Sequence, residues 1–278
     1  MDSVIAGGEV AAASSTDVAF STKSDRLEEH TIRKGNSAAH IYLDSGLALG
    51  ADSAKKPYLF MAFPAGNSGV ALWFKSKNET VNFEAIGQAT AATRENGLNG
   101  AEIEIKTGVK SLVIDASILG SMRFIRDREL GIKAPAEVDV KDITLIDGKL
   151  FFKRKSLNGK ASYLIEIEAS PGTLIVRTGS TYKLVSETEV QFKLGGFTSE
   201  TPLTPIPLEE IFEEEVLRTM NPEQLMAFSF LLYEEKLMAG APRYHSKFGR
   251  DAIYSLRVLM NVMKPAAIEK ILNSTIIF

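Results

Sequence analysis

The sequence predicts an α+β fold in segregated blocks, an antiparallel β-sandwich followed by a helical segment. Short apolar runs punctuated by turn residues recur over residues 31–194. Asp-Gly and Asn-Gly pairs lie between neighbouring runs, and these pairs permit the positive φ values of tight hairpins. After a breaker-rich stretch at 195–205 the apolar spacing changes to a helical period. Residues 1–25, rich in Ala, Ser and Gly, are expected to form a loose leader, 26–200 the sandwich, and 201–278 a second, helical domain.

Within the first block, 58–63 and 69–74 are two apolar runs separated by the turn-forming Pro64-Ala-Gly-Asn-Ser68. Residues 101–106 alternate with the period of two that a half-buried strand requires. Residues 143–146 and 150–153 flank Asp147-Gly148, and Asn158-Gly159 precedes the run at 163–167. Runs at 173–177, 182–185 and 189–193 complete the series, with turn signals every eight to twelve residues or so.

In the second block, 207–218 reads as an amphipathic helix with acidic residues in its first turns, where they suit the dipole. Asn221-Pro222-Glu223-Gln224 supplies an N-cap, Pro at N1 and Gln at N3. The helix that follows carries Leu225, Phe228, Leu231 and Leu232 and is expected to stop at Gly240. Two more helices are predicted, one over 251–263 and one from Pro265 onward.

Composition excludes several functions. Hydrophobic residues are 45% of the chain and charged residues 24%, ordinary values for a folded protein. Lys and Arg total 32 against 35 Asp and Glu, so there is no basic excess to neutralise phosphates and nucleic acid is not an expected partner. No cysteine is present, which removes disulfides, thiolate metal sites and cysteine nucleophiles. With three His and no Cys a zinc site is not expected, and no cofactor is implied. No apolar run approaches the roughly 18 residues of a membrane-spanning helix. The first residues lack the basic and apolar regions of a signal peptide, which favours the cytoplasm while leaving secretion open.

The chemically informative stretch is 239–251, which joins two apolar helices yet holds Arg243, His245, Lys247, Arg250 and Asp251. Arg beside Asp at a helix start offers rigid donors and a carboxylate acceptor together. A sugar hydroxyl uses both, and Tyr244 and Phe248 add flat apolar surface for the ring's C–H face. This stretch resembles the start of the catalytic domain of six-hairpin glycosidases, the debranching-enzyme-like and glucoamylase-like hydrolases with an (α/α)₆ barrel. In that family a Gly-Arg-Asp opens an early barrel helix after an aromatic, as Gly249, Arg250 and Asp251 do after Phe248 here. The turn at Pro64-Ala-Gly-Asn-Ser-Gly69 is similar to one in the family's supersandwich-like N-terminal domains.

The resemblance implies an N-terminal β-sandwich followed by the first hairpins of an incomplete barrel, acting on α-glucan-like oligosaccharides. Arg250 and Asp251 would hold sugar hydroxyls next to the cleaved bond, with Tyr244, His245 and Phe248 shaping the pocket. One departure matters. Hydrolysis needs two carboxylates roughly 5–10 Å apart across one bond, and after Asp251 only Glu269 remains. The acid/base pair is therefore expected outside this chain, which alone would bind sugar weakly and be inactive. Its helices would need either further barrel hairpins or an oligomeric partner.

Plainer readings stand beside these. Asp251 also suits the N-cap of its helix, a role compatible with sugar contact. His245 alone in a loop is more readily a polar side chain than a general base. Glu209, Glu210 and Glu213 to Glu215 read as a solvated helix face, and Arg123, Arg126, Asp127 and Arg128 as a charged loop or sheet edge. Trp73, in an apolar run, reads as core. The alternative function is a non-catalytic module whose sheet presents a carbohydrate- or protein-binding surface. Exposed aromatics on one sheet face would favour it.

Overall fold

The computed structural model describes residues 16–47, 57–75, 79–235, 237–238 and 249–276. In chain order the first strands are β1 (Val18–Lys23), β2 (Leu27–Lys34), β3 (Ser37–Asp44), β4 (Gly46–Leu47), β5 (Tyr58–Phe63) and β6 (Ser68–Lys75). They are followed by β7 (Thr80–Val81), β8 (Glu84–Ala85), β9 (Thr90–Arg94), β10 (Leu98–Lys106) and β11 (Ser111–Ser121). Helix α1 (Met122–Glu129) leads to β12 (Asp142–Ile146), β13 (Lys149–Lys155), β14 (Ser162–Ala169), β15 (Thr173–Thr178), β16 (Thr181–Ser186) and β17 (Gln191–Thr198). Helices α2 (Leu208–Ile211), α3 (Glu214–Thr219), α4 (Pro222–Leu231), α5 (Gly249–Leu259) and α6 (Pro265–Ile276) complete the order.

The described strands form two large antiparallel sheets. One runs β1-β2-β3-β5-β6-β11-β16-β15. The other runs β12-β13-β14-β17-β10-β8, with β9 also on β10, and β4 pairs β7 separately. Their inner faces meet in a core that includes Ile41, Met61, Leu72 and Phe74 from the first sheet and Ile103, Phe152, Ile165 and Phe192 from the second. Alternation dictates this. On β3, β5 and β6 every second side chain enters the sandwich and its neighbour faces outward.

The Asp147-Gly148 hairpin forms as predicted, with both residues at positive φ, 49° and 75°. Two expectations for the first block need correction. Part of the expected leader is structured, because Val18–Lys23 is the edge strand β1, paired along its length with β2. The expected linker begins too early, since Gly195 and Gly196 lie inside β17, between β10 and β14. Glycine is needed there for close approach. A Cβ on Gly196 would fall 2.5 Å from the Met61 sulfur of the facing sheet, and one on Gly100 only 1.9 Å from the Gly196 carbonyl oxygen. The two glycines therefore serve packing across and along the sheets, and do not end the strand.

Helix boundaries also shift. The expected helix over 207–218 is two short helices, α2 and α3, because Phe212 turns extended (φ −109°, ψ 151°) and buries completely, bridging to Met263. The helix at Pro222 begins as predicted. Asn221 accepts from the Gln224 backbone N–H, and the Gln224 side chain accepts from the Asn221 N–H. It ends at Leu231, well before Gly240, because Leu232 and Tyr233 extend into bridges with Leu237 and Pro205. The segment read as a charged loop or sheet edge is α1, capped by Ser121 and pressing Met122 and Ile125 onto the first sheet.

The helical part has its own apolar core, including Ile211, Phe212, Leu256, Met263 and Ile271. It meets the sandwich where Phe230 of α4 packs with Val18 and Ala38 on the outer face of the first sheet. No described helix is long and apolar enough to cross a membrane.

Candidate functional site

The outer face of the first sheet carries most of the aromatic and ionic chemistry near the helices. Strand alternation places His40 and Tyr42 of β3, Tyr58 and Phe60 of β5, and Trp73 of β6 on it. Two ring pairs form, Tyr42 with Phe60 at 5.5 Å between centroids and Tyr58 with Trp73 at 5.8 Å. Arg128 of α1 sits 5.0 Å above the Trp73 ring, a cation–π contact. A β-bulge between Ile114 and Ala116 sets Asp115 at a shift of register, and its carboxylate meets Lys75 and, at 3.8 Å, Arg128. Nearby, the Tyr58 hydroxyl donates to Glu129, and Arg26 donates to Asp44 at 2.6 Å.

These rings are buried, and Trp73 has no exposed surface at all. Among the described residues the large apolar side chains that are exposed include one aromatic, Tyr254, which lies on α5 and not on a sheet. Among the described residues the sheet faces therefore carry no fully exposed aromatic, Phe20 and Phe151 being half-buried.

Where α4 meets the sheet, Arg33 of β2 is the central polar group. Its Nε donates to the Thr16 carbonyl at 2.6 Å, and its Nη1 to the Ser229 carbonyl at 2.8 Å and the Tyr233 hydroxyl at 3.2 Å. Ser229 stands in the last turn of α4, where the carbonyl end of the helix dipole favours a cation. Burial pushes the Tyr233 hydroxyl up to about 12, so it stays protonated at neutral pH.

On the outer face of the second sheet, Arg94 is held between Glu166, at 2.7 and 2.9 Å, and Glu102. The two carboxylates flank Gly195 from the neighbouring strands. The Arg94 guanidinium also lies 4.4 Å over the Phe197 ring, and its hydrogen bonds to Glu166 hold its pKa above the usual arginine value. At the sandwich rim, burial alone would raise the Glu28 pKa, but hydrogen bonds from His30 and Lys23 outweigh it and hold that carboxyl below its ordinary value. Each carboxylate is engaged by a cation, which is the chemistry of structural ion pairs. Among the described residues no group of three His, Asp or Glu is placed to hold a metal.

The sequence-predicted sugar site falls largely elsewhere. Arg250 and Asp251 stand in the first turn of α5, which begins at Gly249, so Asp251 is a helical residue and not the N-cap. Their side chains, and Tyr244, His245 and Phe248 entirely, lie outside the described residues. Sequence reasoning missed Arg33, Glu28 and Arg94.

No protein-family model matches this sequence, and comparison with curated proteins and with solved structures returns no match.

Proposed function

We propose that this chain is the N-terminal part of a six-hairpin-type glycoside hydrolase acting on α-glucan-like oligosaccharides. The β-sandwich precedes the first helices of an (α/α)-barrel, and Arg250 and Asp251 bind sugar hydroxyls. The catalytic acid and base come from residues outside the chain, which alone binds sugar weakly and does not turn it over. The observation that carries the proposal is the use of the first sheet's outer face. Its aromatics are buried as a foundation for helices, with α1 packed on Tyr58 and Trp73 and with Phe230 of α4 beside them on Val18 and Ala38, 6.1 Å from the His40 ring. A binding module that recognises sugar on its sheet would keep such rings exposed.

The helical block adds support. On α5, Ile253, Tyr254 and Val258 are exposed, at 49%, 69% and 65%. A helix with apolar residues on its outer side as well as its inner one suits the interior of a larger helical layer. Further barrel hairpins, or an oligomeric partner, would cover that side.

The test is saturation-transfer NMR of the chain with maltotriose, compared with Asp251→Asn and Arg250→Ala. Binding in the millimolar range that both substitutions abolish supports the proposal. Binding that survives both overturns the assignment of these residues.

A further inference from the structure

Arg33 is 2% exposed, yet among the described residues no carboxylate pairs with it. Its Nε and Nη1 reach the Thr16 and Ser229 carbonyls and the Tyr233 hydroxyl, while Nη2 is buried without a partner. An unsatisfied donor on a buried cation is costly, and natural folds rarely leave one so.

Arg33 lines a cavity of about 10 Å³ beneath the Pro64 turn, together with Asn99, Thr198, Glu200 and Tyr233. That volume is about what a single water needs, and a buried water also needs two to four polar partners. Glu200 is the one carboxylate in the lining. One of its oxygens accepts from the Tyr163 hydroxyl at 2.8 Å, which leaves the carboxylate capacity for another donor.

We infer that this cavity binds one ordered water that accepts from Arg33 Nη2 and donates to the Glu200 carboxylate. The result is a solvent-mediated ion pair between β2 and the chain just after β17. Through its other nitrogens Arg33 already holds α4, so the water completes a latch at the point where the connection to the helices leaves the sandwich. A small anion is a poorer occupant, because Glu200 would repel it. This inference does not depend on the carbohydrate reading.

A crystal structure of the full chain at better than about 2 Å, grown in sodium bromide, tests it. Density hydrogen-bonded to Arg33 Nη2 and Glu200, without anomalous bromide signal, is the expected result. A dry cavity, or bromide in it, overturns the inference. A thermal-melting cycle adds a second readout. Glu200→Gln should lower the melting temperature by about 2–4 °C in the unaltered background, the shift that the loss of one such interaction gives. In an Arg33→Gln background it should cost less than about a third of that, since coupled residues are not additive. Equal losses in both backgrounds overturn the inference. Should Arg33→Gln fail to fold, the density in the unaltered protein decides alone.

Discussion

The Arg33 guanidinium donates to the Ser229 carbonyl at 2.8 Å, joining the second strand of the sandwich to the last turn of α4 across 196 residues of sequence. Together with the Phe230, Val18 and Ala38 contact, this bond sets how the helical block sits on the sheet. Arg33→Met keeps the stem but strips three acceptors of their donor. Hydrogen bonds to a charged group contribute about 1.5–3 kcal/mol each, offset here by relief of a buried charge. The expected net loss is about 2–3 kcal/mol in urea unfolding. Faster amide exchange at 222–233 than in the core strands would show that the junction has loosened.

Arg94→Ala should leave Glu102 and Glu166 facing each other across Gly195, with only Lys193, 3.6 Å from Glu102, left to offset them. Arg94 retains about a third of its side-chain exposure, so screening reduces the effect to about 1–2 kcal/mol. Because the residual repulsion is between carboxylates, the variant should regain stability in high salt more than the unaltered protein does.

The acid limb of stability should report Glu28. Its folded pKa lies below its ordinary value of 4.5, so it contributes stability that is present above that value and lost as pH falls through the folded pKa. Urea midpoints measured downward from pH 6 should therefore fall below about pH 4.5, the ordinary carboxyl range. In Glu28→Gln this part of the decline should be absent, and the variant should be the less stable of the two at neutral pH.

Gly100→Ala should be among the most damaging small substitutions in the sandwich, because its Cβ meets backbone, the Gly196 carbonyl, which cannot step aside. Overpacking of this kind costs about 3 kcal/mol or more. Gly196→Ala meets side chains, the Met61 sulfur at 2.5 Å and the Val70 Cγ2 at 2.9 Å, which can yield more than backbone can, and should cost less. A chemical-denaturation series checks the ranking, and the reverse order would contradict the packing described for β17.

The parts legible in the sequence were those decided locally. Asp147-Gly148 fixes a hairpin by its own φ preferences, and Asn221 with Gln224 caps α4 within four residues. What was not legible depends on distant partners. Gly195 and Gly196 look like chain breakers until the Phe197 ring, beside Gly195, and Met61 of the opposing sheet, facing Gly196, require the space. The β1 strand lies in a small-residue stretch and is recruited by pairing with β2, with Val18 buried against Phe230 from the far end of the chain. Phe212 breaks a helix that periodicity favours because its ring is needed in the helical core. At the proposed sugar site, the Gly-Arg-Asp run does begin a helix, α5, but no local pattern could have shown that Arg33 and Glu28 become buried.

The most direct test of the carbohydrate assignment is saturation-transfer NMR on the chain with maltotriose, run beside Asp251→Asn under identical conditions. Transfer to the sugar protons with a dissociation constant in the millimolar range is the expected result, with its loss in Asp251→Asn while amide spectra show the fold intact. No transfer at tens of millimolar sugar, or transfer unchanged by the substitution, would contradict it.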